Sequence, residues 1–187
     1  MLNFCTVDLS AFYFDIRKDT LYCDPINSEK RNSCLKVLNI ILESLLKWFA
    51  PILSFTTEEI YKILSNKNKS IHLEKFMNFP KSFKNDQLEK KWNELIKIRD
   101  ICNISIEEKR SNKLIGSSLE AQIELFLNEG LKDITKNIDF SELCITSKAY
   151  LNFSNNEDIS VVTKKMEGNK CPVCWKISNT PCLRHDN

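Results

Sequence analysis

At 187 residues the chain can bury a real core, as one good-sized domain or two small ones. Its 42% apolar and 28% charged residues and mean hydropathy of −0.31 are ordinary for a globular protein, and no apolar run approaches the ~20 residues of a membrane span. A formal net charge of +2 does not by itself argue for nucleic acid.

The first residues, "LNFCTVDLS", lack a basic stretch and a cleavable apolar core, so no secretory signal is expected. Leu9, Phe12, Tyr13 and Ile16 follow the i, i+3, i+4, i+7 spacing of one helix face, with Asp8 as an N-cap. "CDPINSEK" breaks that helix, and Ser28 or Asn27 can cap the next. There Leu35, Leu38, Leu42, Leu45 and Phe49 form an apolar seam, with Val37, Ile40, Ile41 and Leu46 beside it, as in a helix inside a bundle. Pro51 stops this helix. Thr56 and Glu59 have capping-box spacing for a third, flanked by Phe55 and Ile60 as a hydrophobic staple.

"SNKNKS" reads as a polar loop and "HLEKFMNFPKSF" as an irregular strap. A long helix is expected from Asp86 to Lys113, with Leu88, Trp92, Leu95 and Cys102 on one side and Gly116 marking its end. Then the period changes from helical to alternating. "AQIELFLN" places Ala121, Ile123, Leu125 and Leu127 on one face of a strand; a short helix follows around 129 to 137, and "ELCITSKAYLNF" and "ISVVTKKME" read as two more strands. The fold class is therefore mainly α: a helical domain over 1–115, a small α+β unit over 116–168, and a tip over 169–187. No internal repeat or low-complexity tract is present.

Several chemistries are excluded. With glycines only at 116, 130 and 168, no Gly-rich phosphate loop is possible, and two histidines at 72 and 185 make no His-x-x-x-His pair. Glu58/Glu59 and Glu107/Glu108 read as solvated helix faces. No catalytic residue is assigned. Five of the eight cysteines (5, 23, 34, 102 and 144) are scattered in apolar surroundings as small core residues. The other three cluster, and the pattern fits a reducing cytoplasm with one metal site better than a disulfide-stapled secreted domain, so a cytoplasmic setting is expected.

The cluster is "KCPVCWKISNTPCLRHDN". Cys171-Pro-Val-Cys174 is the tight turn that presents two thiolates to one tetrahedral ion, and Cys182 and His185 can supply two more ligands, so zinc is expected. The alternatives are a redox pair, which belongs at a helix N-terminus after a strand, or chance. From Ser160 onward the charge is +3, leaving −1 for the rest, so the positive excess surrounds the cysteines. Trp175 beside Lys176 suits stacking on an unpaired base; alternatively it covers the metal loop as a miniature core. Lys170, Lys176 and Arg184 are candidate phosphate contacts, with a solvated surface as the bland reading.

"NFCTVDLSAFYFDIRKDTLY", "LLKWFAPILSFTTEEIY", "IRDICNISIEEKRSNKLIGSSLEA" and "KCPVCWK", in this order, resemble bacterial-type isoleucyl-tRNA synthetases over nearly the whole chain. The resemblance implies the C-terminal region of such an enzyme: the helical anticodon-binding domain typical of class I synthetases (incomplete at its N-terminus), a small α+β unit and a zinc-bearing tip. It implies isoleucine tRNA and the N-terminal catalytic part of the synthetase as partners, and no membrane. The His-x-Gly-His and Lys-Met-Ser-Lys-Ser signatures of the ATP- and magnesium-using catalytic domain do not occur, since "KKMEG" at 164–168 is not the latter. Cys171, Cys174 and Trp175 match the family position for position. His185 stands where the family's last cysteine would be, and the Cys174–Cys182 loop is shorter than usual. Two other readings are a free-standing RNA-binding protein derived from that domain, and a structural zinc-tipped domain without RNA contact.

Overall fold

A computed structural model describes residues 1–65, 69–155, 158–182 and 184–185. The middle of the expected "SNKNKS" loop lies outside the described residues. The chain forms two compact units, Met1–Cys23 with Asn85–Asn187, and Asp24–Lys84. Compactness thus cuts the chain elsewhere than at the segments 1–115, 116–168 and 169–187, which divide it by expected role. Among the described residues no helix is long and apolar enough to cross a membrane.

In the larger unit the chain enters as a π-helix over Phe4–Phe14 and passes directly into helix α1, Asp15–Cys23. An 11-residue π-helical run is unusual, since this winding mostly occurs as single turns. Leu9 and Ile16 are buried and Phe12 and Tyr13 half-buried, so the expected face is the packed one. Asp8 does not cap this helix. Residues before it are already helical, the Cys5 N–H bonding to the Met1 carbonyl at 3.0 Å, so Asp8 lies inside.

In the smaller unit, Ser28 caps helix α2 (Glu29–Phe49), its hydroxyl accepting from the Arg31 N–H at 3.3 Å. Helix α3 spans Ser54–Ser65. Leu46 and Ala50 of the α2 end pack with Ile71, Ile60 and Tyr61. The expected Leu35–Phe49 seam is only partly covered: Leu38, Leu45 and Phe49 are half-buried, whereas Leu35 and Leu42 are exposed. Among the described residues of this unit α2 packs chiefly against α3 and the Ile71–Leu73 turn, which cover a stripe and not the whole apolar circumference. The capping box at Thr56 does not form. The Leu53 carbonyl accepts from both the Thr57 N–H and the Thr57 hydroxyl at 2.9 Å, so the helix starts earlier and Thr56 falls inside it. Phe55, 93% exposed, makes no staple. Nor is Glu58 merely solvated: its carboxylate accepts from the Ile71 N–H (2.9 Å) and Ser70 hydroxyl (2.8 Å) and pairs with Lys62. It thereby pins the strap, which otherwise consists of short 3-10 turns at Ile71–Leu73 and Lys81–Phe83 joined by irregular chain.

Helix α4, Asp86–Ser111, returns the chain to the larger unit, capped by Asn85. Leu95, Ile98, Cys102 and Ile106 form its buried stripe; Trp92 sits at the edge, 6.1 Å from Phe12 in an edge-on contact, and Leu88 is exposed. The helix ends before Gly116. Lys113 takes a left-handed φ of 57°, its N–H bonding to the Arg110 carbonyl and that of Leu114 to the Lys109 carbonyl, a Schellman ending with lysine where glycine is usual. The Gly116 N–H instead donates to the Glu120 carboxylate at 2.9 Å.

Strand β1, Ala121–Asn128, is central in a three-stranded sheet. Its Ala121, Ile123, Leu125 and Leu127 are fully buried, as alternation predicts. Short helices α5 (Lys132–Thr135) and α6 (Phe140–Leu143) follow, then β2 (Lys148–Ser154), parallel to β1, and β3 (Ser160–Lys165), antiparallel to it. The expected strand from Glu142 begins later. Asp139 caps α6 by accepting from the Ser141 and Glu142 N–H groups, drawing Glu142 and Leu143 into helix. One sheet face packs on α4, where the Ser105 and Thr163 hydroxyls meet at 2.7 Å. A minimal hairpin, β4 (Asn169–Lys170) and β5 (Ile177–Ser178), carries the tip.

Candidate metal centre

The tip hairpin presents the cysteine turn. Lys170 pairs with Ile177, and between them Cys171–Trp175 closes a tight loop in which the Trp175 N–H bonds to the Cys171 carbonyl at 3.0 Å. Gly168, just before β4, has a φ of +131° and the Ser178 carbonyl group only 2.5 Å from where a Cβ would stand, so the hairpin closes only on glycine there.

Cys171, Cys174, Cys182 and His185 come together, with their ligand atoms all within 4.8 Å of one another. The His185 Nδ1 lies 3.4 Å from the Cys171 sulfur and 3.3 Å from that of Cys182, and the Cys174 and Cys182 sulfurs are 3.9 Å apart. These separations are too long for a disulfide and short enough for one shared ion. Three sulfurs and one imidazole nitrogen could hold a metal ion.

Electrostatics favour a ligand role. The Cys174 backbone N–H, helped by that of Val173 and by His185, pulls the Cys171 thiol down to about 6. Burial pushes Cys174 up to about 12. In its buried niche, therefore, a thiolate at Cys174 calls for a cation beside it. His185 is raised, chiefly by the Cys23 carbonyl. That carbonyl, 3.0 Å from Nε2, can only accept, so Nε2 carries the proton and Nδ1 faces the sulfurs.

Three supporting residues carried no signal in the sequence. Besides the Cys23 carbonyl, Asp19 of α1 pairs with Arg184 at 2.6 Å, and the Cys23 thiol lies 3.7 Å from the Val173 carbonyl. The Ser147 hydroxyl donates to the Leu119 carbonyl and accepts from the Ile177 N–H at 2.6 Å, joining β5 to the sheet unit. All are far from residues 171–185 in sequence. Of the scattered cysteines, 34, 102 and 144 are buried, as expected of core residues, whereas 5 and 23 are half-buried.

The other candidates also lie at the tip. Trp175 is 59% exposed, with the Lys170 ammonium 5.4 Å over its ring. Lys170 is exposed, Lys176 half-buried, and the Arg184 guanidinium is engaged by Asp19.

A helix-rich body with a small sheet carries the four-donor tip, and similarity gives its class. The description "anticodon-binding domain of tRNA ligase" matches residues 1–125, and the chain belongs to that family. It is 64% identical over 187 residues, its whole length, to an isoleucine–tRNA ligase of Pelagibacter ubique, covering 21% of that protein. It is 40% identical over 95% of its length to that of Agrobacterium fabrum and 38% over 94% to that of Bartonella henselae. The chain spans about a fifth of the length of the curated relatives it matches.

Proposed function

We propose that this chain is the tRNA-anticodon-binding and zinc-binding C-terminal region of an isoleucine–tRNA ligase, working in the cytoplasm. In that role residues 1–115 form the anticodon-binding helical domain, 116–168 a connecting α+β unit and 169–187 the zinc tip. The chain is not expected to aminoacylate alone; ATP and magnesium belong to the catalytic part, its partner along with isoleucine tRNA. The observation that carries this reading is 64% identity over every residue to an isoleucine–tRNA ligase.

Zinc is supported by the donor set. A tetrahedron with Zn–S of about 2.3 Å and Zn–N of about 2.0 Å has edges of about 3.5–3.8 Å. The separations between donors, 3.3 to 3.9 Å for the closest pairs, resemble those edges. Bound there, zinc supplies cross-linking and not catalysis. The residues around it tie the cysteine turn and His185 to α1 through Cys23 and Asp19, holding Trp175, Lys170, Lys176 and Arg184 as a basic, aromatic surface for RNA. The exposed apolar residues of the smaller unit, Phe55, Ile52 and Phe76 among them, favour a region of a larger enzyme over a self-contained trans-acting protein.

The test is metal content of the purified chain beside filter binding to isoleucine tRNA, with valine tRNA as control. One zinc per chain and preferential, salt-sensitive retention of isoleucine tRNA are expected. Zinc without tRNA retention would favour a purely structural tip, and absence of zinc would remove the metal assignment.

A further inference from the structure

A groove of about 860 Å³ runs along the tip, and Cys171, Cys174 and Cys182 all border it. The sulfur cluster is therefore open to a small solute on that side. Lys170, Lys176 and Arg184 line the same groove, and among the described residues no carboxylate does; Asp19, which pairs with Arg184, lies outside it. Cationic groups so placed stabilise negative charge that builds on a departing oxygen.

The three cysteines are not equivalent. Cys171 and Cys174 are buried and Cys182 is half-buried, so Cys182 is the one a solute meets first. Cys171 is fixed at the end of β4, its N–H bonded to the Lys176 carbonyl at 2.9 Å. Cys174 lies on the loop between the hairpin strands, its sulfur 3.9 Å from that of Cys182. Cys182 follows the hairpin on irregular chain, held by neither helix nor strand. Closing 3.9 Å to the ~2.05 Å of a disulfide takes a movement of about 2 Å, which that segment can supply with β4 and β5 still paired.

We propose that Cys182 and Cys174 form a peroxide-sensitive pair through which a small hydroperoxide reversibly unloads the metal tip. The Cys182 thiolate attacks one oxygen of the peroxide. The O–O bond breaks, the sulfur becomes a sulfenic acid, and the other oxygen leaves as hydroxide or alkoxide. The Cys174 thiolate then attacks the Cys182 sulfur and displaces hydroxide, forming the disulfide. The two sulfurs give up two electrons, the peroxide is reduced, and the departing oxygens take protons from water. Disulfide sulfurs are no longer thiolate ligands, so only Cys171 and His185 remain as donors, too few for a closed four-coordinate site. A dithiol reverses the step by thiol–disulfide exchange. This rests on the zinc reading above and makes retention of the ion depend on redox conditions.

The test uses the full zinc-loaded chain, freed of reductant and treated with hydrogen peroxide. Metal release is read with a chromogenic chelator, and the sulfur chemistry by peptide mass mapping after thiol blocking. Zinc should leave in step with a loss of two hydrogens from the peptides joining Cys174 to Cys182, and dithiothreitol with added zinc should restore both. Met166 borders the groove too, but its oxidation adds an oxygen and removes no ligand. Cys182→His keeps four donors without the oxidisable one and should slow release about tenfold or more. Cys5→Ser, in the π-helix and outside the donor set, should release zinc as wild type does. If Cys182→His fails to load with zinc, the wild-type mapping decides alone. A disulfide between Cys171 and Cys174, undiminished release from Cys182→His, or zinc retained after Met166 has been oxidised overturns the pair while leaving zinc binding intact. A chain without zinc before peroxide is added overturns the zinc reading and the switch with it.

Discussion

The imidazole of His185 donates through Nε2 to the main-chain carbonyl of Cys23, 3.0 Å away and 162 residues distant in sequence. One ring nitrogen faces the sulfurs and the other grips the last turn of α1, so whatever fixes His185 also fixes that turn. Loading with zinc is expected to slow amide exchange in Thr20–Cys23, although no ligand belongs to that stretch, and chelation should restore it. Exchange there that ignores the metal would show that the two ends are not coupled.

This link explains why the site was legible only in part. Cys171, Cys174, Cys182 and His185 lie within 15 residues, and their spacing alone suggests a shared ion. Strand β1 was equally plain, because Ala121, Ile123, Leu125 and Leu127 alternate and the strand is buried on one face. Local signals failed where tertiary contacts decide. Thr56 and Glu59 have capping-box spacing, yet the Leu53 carbonyl captures Thr57 first. The α2 leucines mark an apolar circumference but not which stripe of it is covered. Asp19, Cys23 and Ser147 reach the tip only through contacts between residues far apart in sequence, so no window of sequence contains the signal.

Lys113 occupies the left-handed position that closes α4, at a φ of 57°. A side chain there costs about 1 kcal/mol relative to glycine, and its Schellman bonds use only the backbone. Lys113→Gly should therefore raise Tm by about 2–4 °C in a thermal melt. An unchanged or lower Tm would mean that the lysine makes a compensating contact.

Glu58 is held down to about 2, first by the Ile71 N–H, then by Lys62 and the Ser70 hydroxyl. Its carboxyl is harder to protonate folded than unfolded, so its contribution is fully present above about 4.5 and fades as pH falls toward about 2. Glu58→Gln should lower the stability of the Asp24–Lys84 unit at pH 7 and have little effect near pH 2, converging with wild type in melts across that window. A deficit that persists undiminished at pH 2 would assign the loss to packing and not to charge.

Gly168 stands where the hairpin of the tip closes on itself. At a φ of +131° a Cβ would lie 2.5 Å from both the carbonyl carbon and oxygen of Ser178, and 2.8 Å from Asn179 Oδ1. The asparagine can swing away; the Ser178 backbone cannot, because Asn169 and Ser178 are paired in the hairpin. Gly168→Ala therefore forces either strained backbone, about 1–3 kcal/mol, or loss of the β4–β5 pairing. That pairing sets the separation of Cys171 and Cys174 from the rest of the donors, so metal affinity should fall by about tenfold or more. The three-stranded sheet is buried on α4 and closes without the tip, so its amide protection should stay as in wild type. Weakened metal binding with an intact sheet locates the damage at the tip, whereas unchanged metal affinity would show that the donors assemble without the hairpin that carries them.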